Sequence, residues 1–302
     1  MDASVEFVRH LLQTVVNIHV AVPKAHPSAR ILGNERMGSG IIIDAAGLIL
    51  TVNYVVMGAQ TVEVGFLKGR RVKAEIVGQD FETGIALIRV KRQGLVPAPL
   101  ATPAGELERG QPVVSVASTG PQERRVGGGV ITYLGEFEAY WEYLLDRGIV
   151  SSAQNPGFGG GALYSMTGAL LGVLYLNLNE VARGSLTIPV DFYREHETEL
   201  LRFGRVTSRP RRAWLGVFAH AIEEGVVVAG IVPEGPGDRG GLQEGDIIVS
   251  LEAQEVGSRK DLYQSLWRHE PGERLTLEVL RDSKTRRVEI TTGDRAEFFK
   301  QT

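Results

Sequence analysis

The pattern of apolar and polar positions divides most of the chain into short segments of β type. Short apolar runs recur between glycine, asparagine or aspartate. Many short strands at regular spacing are typical of a β-barrel or a β-sandwich. The pattern covers roughly 190 residues, which favours two packed barrels over one. The predicted strands lie at 40–44, 48–52, 61–66, 71–78, 85–90, 112–117, 129–134, 163–165, 169–176 and 186–189.

Two segments of the first two thirds have helical spacing instead. Apolar side chains in residues 4–17 recur near helical spacing, so we predict a helix that runs into a strand at 18–22. A second helix is predicted over 192–202, because Asp191 can cap its start and Gly204 can stop it.

Turn-forming residues predict where the chain is irregular. Residues 23–37 are polar and contain two prolines, so we expect a loop there. The glycines at 127–129 predict a turn that leads into a strand. They are followed by neither Lys-Ser/Thr nor a helix, so they are not interpreted as a phosphate-binding loop.

A change of pattern near Asp191 predicts two domains. The first covers 1–203, an arginine-rich linker follows at 204–213, and the second covers 214–295. Short strands and one helix over 258–269 predict a small barrel-like sheet for the second domain. The linker is interpreted as a solvated connection, with a docking patch for acidic partners as the alternative.

Composition and charge narrow the classes of function. The chain has 302 residues, of which 43% are hydrophobic and 23% charged, with a formal net charge of −3. This balance gives no reason to expect nucleic acid as a partner. There is no cysteine, which excludes disulfides, thiolate metal sites and a cysteine nucleophile. The six histidines share no metal-ligand spacing, so no metal and no other cofactor is predicted.

The N-terminal residues contain no recognisable targeting signal. They are acidic and then amphipathic, without a basic segment followed by an apolar core, so they do not resemble a signal peptide. No apolar run approaches the length of about 18 residues that a membrane span needs. We therefore expect either a cytoplasmic protein or a chain whose leader has been removed.

Three segments together resemble the HtrA/Deg family of trypsin-like serine proteases. Residues 38–56 carry a Gly-Ser-Gly start and a Leu-Thr-x-Asn stretch, which in the family leads to the catalytic His. Residues 78–88 contain Ile-Ala and further apolar residues, which in the family follow the catalytic Asp. Residues 155–163 resemble the family's Asn-Pro-Gly-Asn-Ser-Gly-Gly-x-Leu. The resemblance implies a mainly β, trypsin-like domain with two six-stranded barrels.

At the three catalytic positions of that family, this sequence has other residues. Tyr54 stands where the resemblance places the His, Gly84 replaces the Asp and Gly159 replaces the nucleophilic Ser. Phe158 also replaces the family's Asn. Triad catalysis needs a nucleophile, a base and a group that orients the base. We therefore predict a degenerate site and a protein that is not an enzyme.

Two remnants of the family's chemistry are considered. The resemblance implies that the amides of Gly157 and Gly159 form a vestigial oxyanion hole, with an ordinary glycine turn as an equal alternative. Serine hydroxyls near the expected cleft are interpreted as polar groups of strands and turns, because no matching base accompanies them. These serines are Ser39, Ser151, Ser152 and Ser165.

The C-terminal domain resembles bacterial PDZ domains. Residues 242–248 carry the Gly-Asp-hydrophobic signature, and 214–217 match the carboxylate-binding loop. In such a domain a peptide C-terminus pairs as an extra strand, and loop amides hold its carboxylate. The predicted peptide-binding residues are Leu215, Gly216, Val217, Leu262 and Leu266, and the alternative is that they are simply core.

The expected function is a peptide- or protein-binding scaffold or adaptor that binds protein C-termini or unfolded polypeptides through its PDZ groove. One alternative is an active HtrA-like serine endopeptidase that uses non-standard residues. Another is an assembly module whose groove is closed. The resemblance also implies a homotrimer, with Phe7, Leu11 and Leu12 as candidate contacts. Packing of this helix on its own barrel is the alternative to that contact.

Overall fold

The computed structural model describes residues 3–101, 107–178 and 183–300. The chain divides into two compact units. Unit 1 comprises Met1–Glu136 and Asp146–Thr207, and unit 2 comprises Phe137–Leu145 and Ser208–Thr302. Unit 2 is therefore built from two separate stretches of sequence. The boundaries 1–203, 204–213 and 214–295 remain a prediction.

The strands of unit 1 form two closed six-stranded barrels, which confirms the mainly β, trypsin-like architecture. The first barrel has the order β1-β2-β3-β6-β5-β4. Its strands are β1 Val15–Ala21, β2 Glu35–Ile42, β3 Leu48–Val52, β4 Thr61–Gly65, β5 Val72–Gln79 and β6 Ile85–Val90. All five residues of β3 are buried, as expected for a strand in the barrel core.

The second barrel has the order β10-β11-β12-β9-β8-β7. Its strands are β7 Pro112–Gly120, β8 Glu123–Ala139, β9 Tyr143–Ser151, β10 Ala162–Ser165, β11 Leu170–Asn177 and β12 Ser185–Pro189. The turn predicted at 127–129 is wrong, because these glycines lie inside β8. A side chain at Gly129 would lie 2.3 Å from the backbone nitrogen of Ala153, so glycine is needed there for close approach rather than for a turn.

Within the described part of unit 1, four helices accompany the barrels: α1 Ala3–Thr14, α2 Pro27–Leu32, α3 Asn53–Val56 and α4 Asp191–Phe203. The predicted loop over 23–37 is wrong in part, because α2 begins there with a proline in its first turn and His26 as its cap. The predicted end of α4 is confirmed, since Gly204 caps it in the left-handed conformation.

The N-terminal helix packs against its own unit. Leu11 is fully buried, and a side chain at Gly168 would contact both Leu11 and Phe7. Leu12 is half-buried. Leu11 therefore has a packing role within the chain, and the homotrimer remains a prediction. Among the described residues, no helix is both long enough and apolar enough to span a membrane.

Unit 2 contains a six-stranded sheet whose main order is β13-β14-β15-β17-β18, with β16 paired to β15. Its strands are β13 Val217–Ile222, β14 Gly225–Ile231, β15 Ile247–Leu251, β16 Gln254–Glu255, β17 Arg274–Arg281 and β18 Lys284–Thr291. Its helices are α5 Pro236–Arg239, α6 Arg259–Leu266 and α7 Arg295–Phe298. Ser258 caps α6 as predicted, but this helix ends at Leu266, before the predicted position 269. Strand β13 is at the edge of the sheet, which matters for the binding site.

Candidate functional site

The structure brings the three positions that the family resemblance assigns to a triad close together in unit 1. Tyr54 lies in α3, directly after β3, and Gly84 directly precedes β6. The two are linked where the Asn53 amide donates to the Gly84 carbonyl at 2.7 Å. Gly159 lies in the loop before β10 and faces Tyr54. The convergence is what the resemblance implies for these positions.

Tyr54 fills the space that a side chain at position 159 would occupy. A Cβ atom on Gly159 would lie 1.8 Å from the Tyr54 hydroxyl and 2.9 Å from its Cζ. Protein Cβ atoms do not approach other heavy atoms this closely, so glycine at 159 and tyrosine at 54 depend on each other. The site is packed around an aromatic ring.

The hydroxyl of Tyr54 is committed to a hydrogen bond with the backbone. It donates to the Tyr175 carbonyl at 3.0 Å, and the two rings lie 5.5 Å apart. Burial, and then Tyr175, raise the pKa of Tyr54 above its usual value. The phenol therefore stays neutral at physiological pH and is a poor acceptor for a proton.

Gly84 adopts a backbone conformation, and has a neighbour, that both disfavour a side chain at this position. Its φ of +86° lies in the left-handed region, and a Cβ there would approach the Tyr175 ring to 3.0 Å. The nearby carboxylate belongs to Asp80, which accepts hydrogen bonds from the Glu82 amide at 3.0 Å and the Thr83 hydroxyl at 2.6 Å. Asp80 therefore holds the turn before β6 in place.

The glycine loop before β10 is packed tightly. The Gly157 amide donates to the Asn155 side chain at 3.1 Å, so this amide is already used within the loop. The Gly159 carbonyl accepts from the Ser39 amide at 2.7 Å. A Cβ at Gly160 would lie 2.2 Å from the Ser39 carbonyl oxygen. The oxyanion role of Gly157 and Gly159 remains a prediction.

The four serine hydroxyls near the cleft bond to neighbouring groups. Ser39 donates to the Phe158 carbonyl at 2.8 Å, and Ser151 donates to the Ala153 carbonyl at 3.3 Å. The other two are Ser152, which accepts from the Val130 amide, and Ser165, which bonds to Thr167. These contacts agree with the interpretation of the four serines as polar groups of strands and turns.

A serine and a histidine do meet elsewhere in unit 1, at a place the sequence did not indicate. His26 Nδ1 lies 2.8 Å from the Ser28 hydroxyl, which also accepts from Arg36 at 2.7 Å. Ser28 is completely buried and donates to the Met57 carbonyl at 3.1 Å. A nucleophile must reach its substrate, so we interpret this pair as the cap of α2.

In unit 2 the predicted carboxylate-binding loop binds a carboxylate. The amides of Gly216 and Val217 donate to one oxygen of Glu142 at 2.7 and 3.0 Å, and the Leu215 amide donates to the other at 3.1 Å. Gly216 has a φ of +79°, which allows the loop to point successive amides at one acceptor.

The other predicted groove residues lie in the core beneath this loop. Leu262 and Leu266 are fully buried and belong to the same apolar cluster as Leu215 and Val217. No signal in the sequence pointed to Glu142, because its contacts with the loop cross 73 residues of chain. The peptide-contact role of the predicted residues remains a prediction.

Two family descriptions match the chain. Residues 38–173 match the trypsin-like peptidase domain, and residues 213–292 match the PDZ domain. The PDZ range lies within unit 2, and the peptidase range lies in unit 1 except for residues 137–145, which group with unit 2.

Curated relatives cover both domains. A probable periplasmic serine endoprotease DegP-like from Halomonas elongata is 30% identical over 288 residues, which are 89% of this chain and 59% of that protein. The protein of the same name from Pseudomonas fluorescens is 30% identical over 277 residues, 86% of this chain and 56% of that protein. The chain therefore spans less than two thirds of the length of these relatives.

Solved structures are similar over nearly the whole chain. The HtrA-type protease AlgW with a decapeptide has a TM-score of 0.56 and 25% identity, covering 97% of this chain and 99% of that one. The same protease with a tripeptide has a TM-score of 0.58 and 25% identity, covering 97% of this chain and 98% of that one.

Together, the fold and these matches define a trypsin-like protease domain followed by a PDZ domain. The chain therefore contains a trypsin-like peptidase domain and a PDZ domain, and it is similar over both to the serine proteases of the HtrA/DegP family.

Two predictions from the sequence are contradicted by these comparisons. The prediction that the protein is not an enzyme is contradicted, because the relatives are named serine endoproteases at about 30% identity. It failed because it relied on three side chains and not on the whole domain. The expectation of a cytoplasmic protein is also contradicted, since the same relatives are named periplasmic.

Proposed function

We propose that this chain binds polypeptides in the periplasm, with its PDZ domain as the recognition module of an HtrA-type serine protease. The observation that carries the proposal is the convergence of three consecutive amides, Leu215 to Val217, on one carboxylate. A free peptide C-terminus presents the same chemical group. The relatives' names support the compartment, and the AlgW structures with bound peptides support the ligand class.

The proposed binding mode adds a strand to the edge of the PDZ sheet. Strand β13 directly follows the loop and stands at the end of the sheet order. Main-chain hydrogen bonds along this edge supply affinity, and side-chain pockets supply specificity. We propose that Leu262 and Leu266 support the groove from below, because both are fully buried where α6 packs on the sheet.

At the barrel site we propose that Tyr54, Gly84 and Gly159 occupy the positions of the family's triad. Peptide binding through the PDZ domain does not require a triad, so the proposed binding function does not depend on the chemistry at these three positions. This is the function that the geometry supports best.

The relatives' names favour a second candidate function, which is endopeptidase activity. Such activity in this chain requires a nucleophile and a base from residues other than the three positions. It is tested by turnover of unstructured fluorogenic casein and by fluorophosphonate labelling. Labelling that maps to one serine, and disappears when that serine is replaced by alanine, establishes this candidate.

A four-fold variant tests whether the barrel site keeps a protease geometry. The variant combines Tyr54→His, Gly84→Asp, Phe158→Asn and Gly159→Ser, and its control keeps Gly159. We expect at most trace turnover that depends on the introduced serine hydroxyl, because misplacing a catalytic group by about 1 Å costs on the order of 10²-fold in rate. Strong turnover that is absent from the control would contradict this expectation.

Peptide recognition is tested with pairs of peptides that differ only at the C-terminus. The full chain is screened against a library of apolar C-terminal peptides, each with a free acid and an amidated form. We expect the acids to bind and the amides to bind at least about tenfold more weakly, since amide donors prefer a charged acceptor. Equal binding of both forms would overturn the proposed function.

The proposed assembly is a homotrimer, as the family resemblance implies. The packing of Leu11 within unit 1 leaves Phe7 and Leu12 as the partly exposed apolar residues of the predicted contact. Light scattering measures the mass directly, and a monomer mass for the full chain would reject the trimer.

A further inference from the structure

A short segment of the chain itself lies on the PDZ domain. Residues 137–145 comprise the end of β8, the turn that follows it and the start of β9, and they group with unit 2 although both strands belong to the second barrel. Within this segment, the four residues Ala139 to Glu142 contact β13, its preceding loop, α6 and α7. We call these four residues the tip.

The side chain of Glu142 occupies the loop that the sequence assigns to a peptide's terminal carboxylate. All three loop amides donate to its two oxygens, at 2.7 to 3.1 Å. The residue is only 1% exposed. Its φ of +53° is uncommon for a residue other than glycine, so surrounding contacts must hold it.

The backbone of the tip follows β13 as an added strand would. The Ala219 amide donates to the Tyr140 carbonyl at 2.6 Å. Tyr140 is two residues before Glu142, and Ala219 is two residues after Val217, so the tip runs antiparallel to β13. The Tyr140 ring stacks on His220 with centroids 5.2 Å apart. This is the arrangement of a peptide ligand that augments a sheet.

Helix α6 closes the other side of the tip. The Tyr263 hydroxyl donates to the Ala139 carbonyl at 2.7 Å, and the Tyr263 hydroxyl oxygen also accepts from the Glu142 amide at 3.2 Å. Arg259 of α6 pairs with Glu138 at 2.9 Å. The tip is therefore held from both sides, by β13 and by α6.

Charge and burial oppose each other at Glu142. Burial raises the pKa of its carboxyl group above the usual value, and Arg295 and the three loop amides offset only part of this rise. Arg295 also donates to the Trp141 and Glu142 carbonyls. A buried carboxylate is costly unless donors replace its water, and here the loop supplies them.

We propose that the tip is an intramolecular ligand of the PDZ groove, in which the Glu142 side chain takes the place of a peptide's terminal carboxylate. An outside C-terminus binds only after it displaces the tip. The second statement rests on the proposed function, whereas the first does not. The groove is thereby restricted to ligands that outcompete a segment already attached to the same chain.

Hydrogen exchange of the loop amides tests the first statement without any outside ligand. In the full chain labelled with ¹⁵N, we expect Glu142→Ala to lower the protection of the Gly216 and Val217 amides at least about tenfold. Glu142→Gln keeps the size of the side chain and should lower it less. Glu224→Ala is the matched control, because Glu224 is exposed in the turn between β13 and β14.

Protection that stays unchanged in both Glu142 variants would overturn the inference. If Glu142→Ala does not fold, Glu142→Gln alone decides, and unchanged protection in that variant has the same meaning.

Competition is tested with a probe taken from the tip's own sequence. The probe is a fluorescein-labelled peptide of residues 136–141 that ends in a free carboxylate at Trp141, and its control is the amidated form. Glu142→Ala should bind the acid probe at least about tenfold more tightly than the unaltered chain, because the population of open grooves limits apparent affinity. Equal affinity of the two chains would overturn displacement.

The two hypotheses fail in different ways. If amide protection falls in Glu142→Ala but neither the probe nor any acid of the peptide library binds this variant, Glu142 remains the occupant and the proposed peptide-receptor function fails. If acids bind the unaltered chain as tightly as the variant, the receptor function stands and displacement of the tip is rejected.

Discussion

The barrel site and the PDZ loop differ in how their space is filled. At the barrel site, Tyr54 occupies the space above Gly159 and donates to the Tyr175 carbonyl. At the PDZ loop, the amides of Gly216 and its neighbours are intact and hold Glu142. The first site is defined by side chains that fill its space, whereas the second is defined by backbone amides that bind a carboxylate.

The difference shows which parts of a binding site can be replaced without loss of shape. A triad depends on three side chains, and any substitution removes its function. An amide loop depends on backbone conformation, and one glycine with positive φ is enough to preserve it. A side chain that fills a site, such as Tyr54, is removed only by mutation. A segment that fills an amide loop, such as the tip, can be displaced by a competing ligand.

The largest effect on stability is expected from a charge placed in the core of unit 2, because it would unfold the domain that carries the PDZ loop. Leu266 is fully buried, so Leu266→Glu should destabilise unit 2 by about 4 kcal/mol or more. All three tryptophans, at 141, 214 and 267, belong to unit 2, so their fluorescence during denaturation reports on this unit. The control Leu201→Glu alters a leucine that is 38% exposed in α4, and should leave this transition unchanged.

A smaller effect is expected at the barrel site from Gly159→Ser. The new side chain collides with the Tyr54 hydroxyl and should cost about 3 kcal/mol in unit 1. In the double variant with Tyr54→Ala, we expect at least about 1 kcal/mol of favourable coupling. Native-state hydrogen exchange of β3 and β11 measures both the loss of stability in the single variant and the coupling energy in the double variant.

Gly128→Ser is the matched control for this collision. Gly128 is exposed in β8, and a Cβ atom there would meet nothing within 4 Å beyond its chain neighbours, so the same substitution encounters no obstacle. An equal loss of stability at positions 128 and 159 would contradict the dependence of Gly159 on Tyr54.

The salt bridge next to the PDZ signature should have a pH-dependent effect. Burial alone would raise the pKa of Asp246, but two bonds of 2.6 Å from Arg281 and one from the Gln243 amide hold it below the usual 3.8. The carboxylate therefore stabilises unit 2 above pH 3.8, and this contribution is lost as the pH falls through the lower folded pKa.

Asp246→Asn should cost about 2 kcal/mol at neutral pH, since it removes the charge while Arg281 can still reach solvent. The cost should shrink on acidification below about pH 4, measured by tryptophan fluorescence in urea. The exposed Asp282→Asn is the control. A cost for Asp246→Asn that is independent of pH would show that shape, and not charge, is what matters.

The smallest effect is expected from Gly84→Ala, at about 1–2 kcal/mol. Its cost has two sources, a φ of +86° and a contact of 3.0 Å with Tyr175. Gly94→Ala shares only the first, because its φ is +70° and its surroundings are open. Hydrogen exchange of β6 compares the loss of stability in the two variants. An equal loss would show that the contact with Tyr175 does not contribute.

The sequence predicted the architecture because local patterns determine it. Strand β3, strand β6 and the stop of α4 at Gly204 follow from alternation, apolar runs and a single glycine. Strand β9 is not predicted by the sequence, because Asp146, Arg147 and Gly148 interrupt its apolar pattern. Asp146 and Arg147 are tolerated there because both are exposed within the strand, and Gly148 is buried but has no side chain.

The candidate sites could be predicted only in part. The family resemblance predicted that Tyr54 and Gly159 stand at catalytic positions, but not that one fills the space of the other. Likewise, the loop at Gly216 was predicted from its motif, while its occupant Glu142 was not. In both cases the missing information is a contact between residues far apart in sequence, which periodicity and spacing do not contain.

The connection between Glu142 and the PDZ loop has a consequence for biosynthesis. The contact closes 73 residues of chain, so the tip leaves the ribosome well before the loop that holds it. Closing a long loop costs entropy before its contacts form, which makes this pairing a late event in folding. A nascent chain therefore exposes the aromatic side chains of the tip before the loop that covers them has been made.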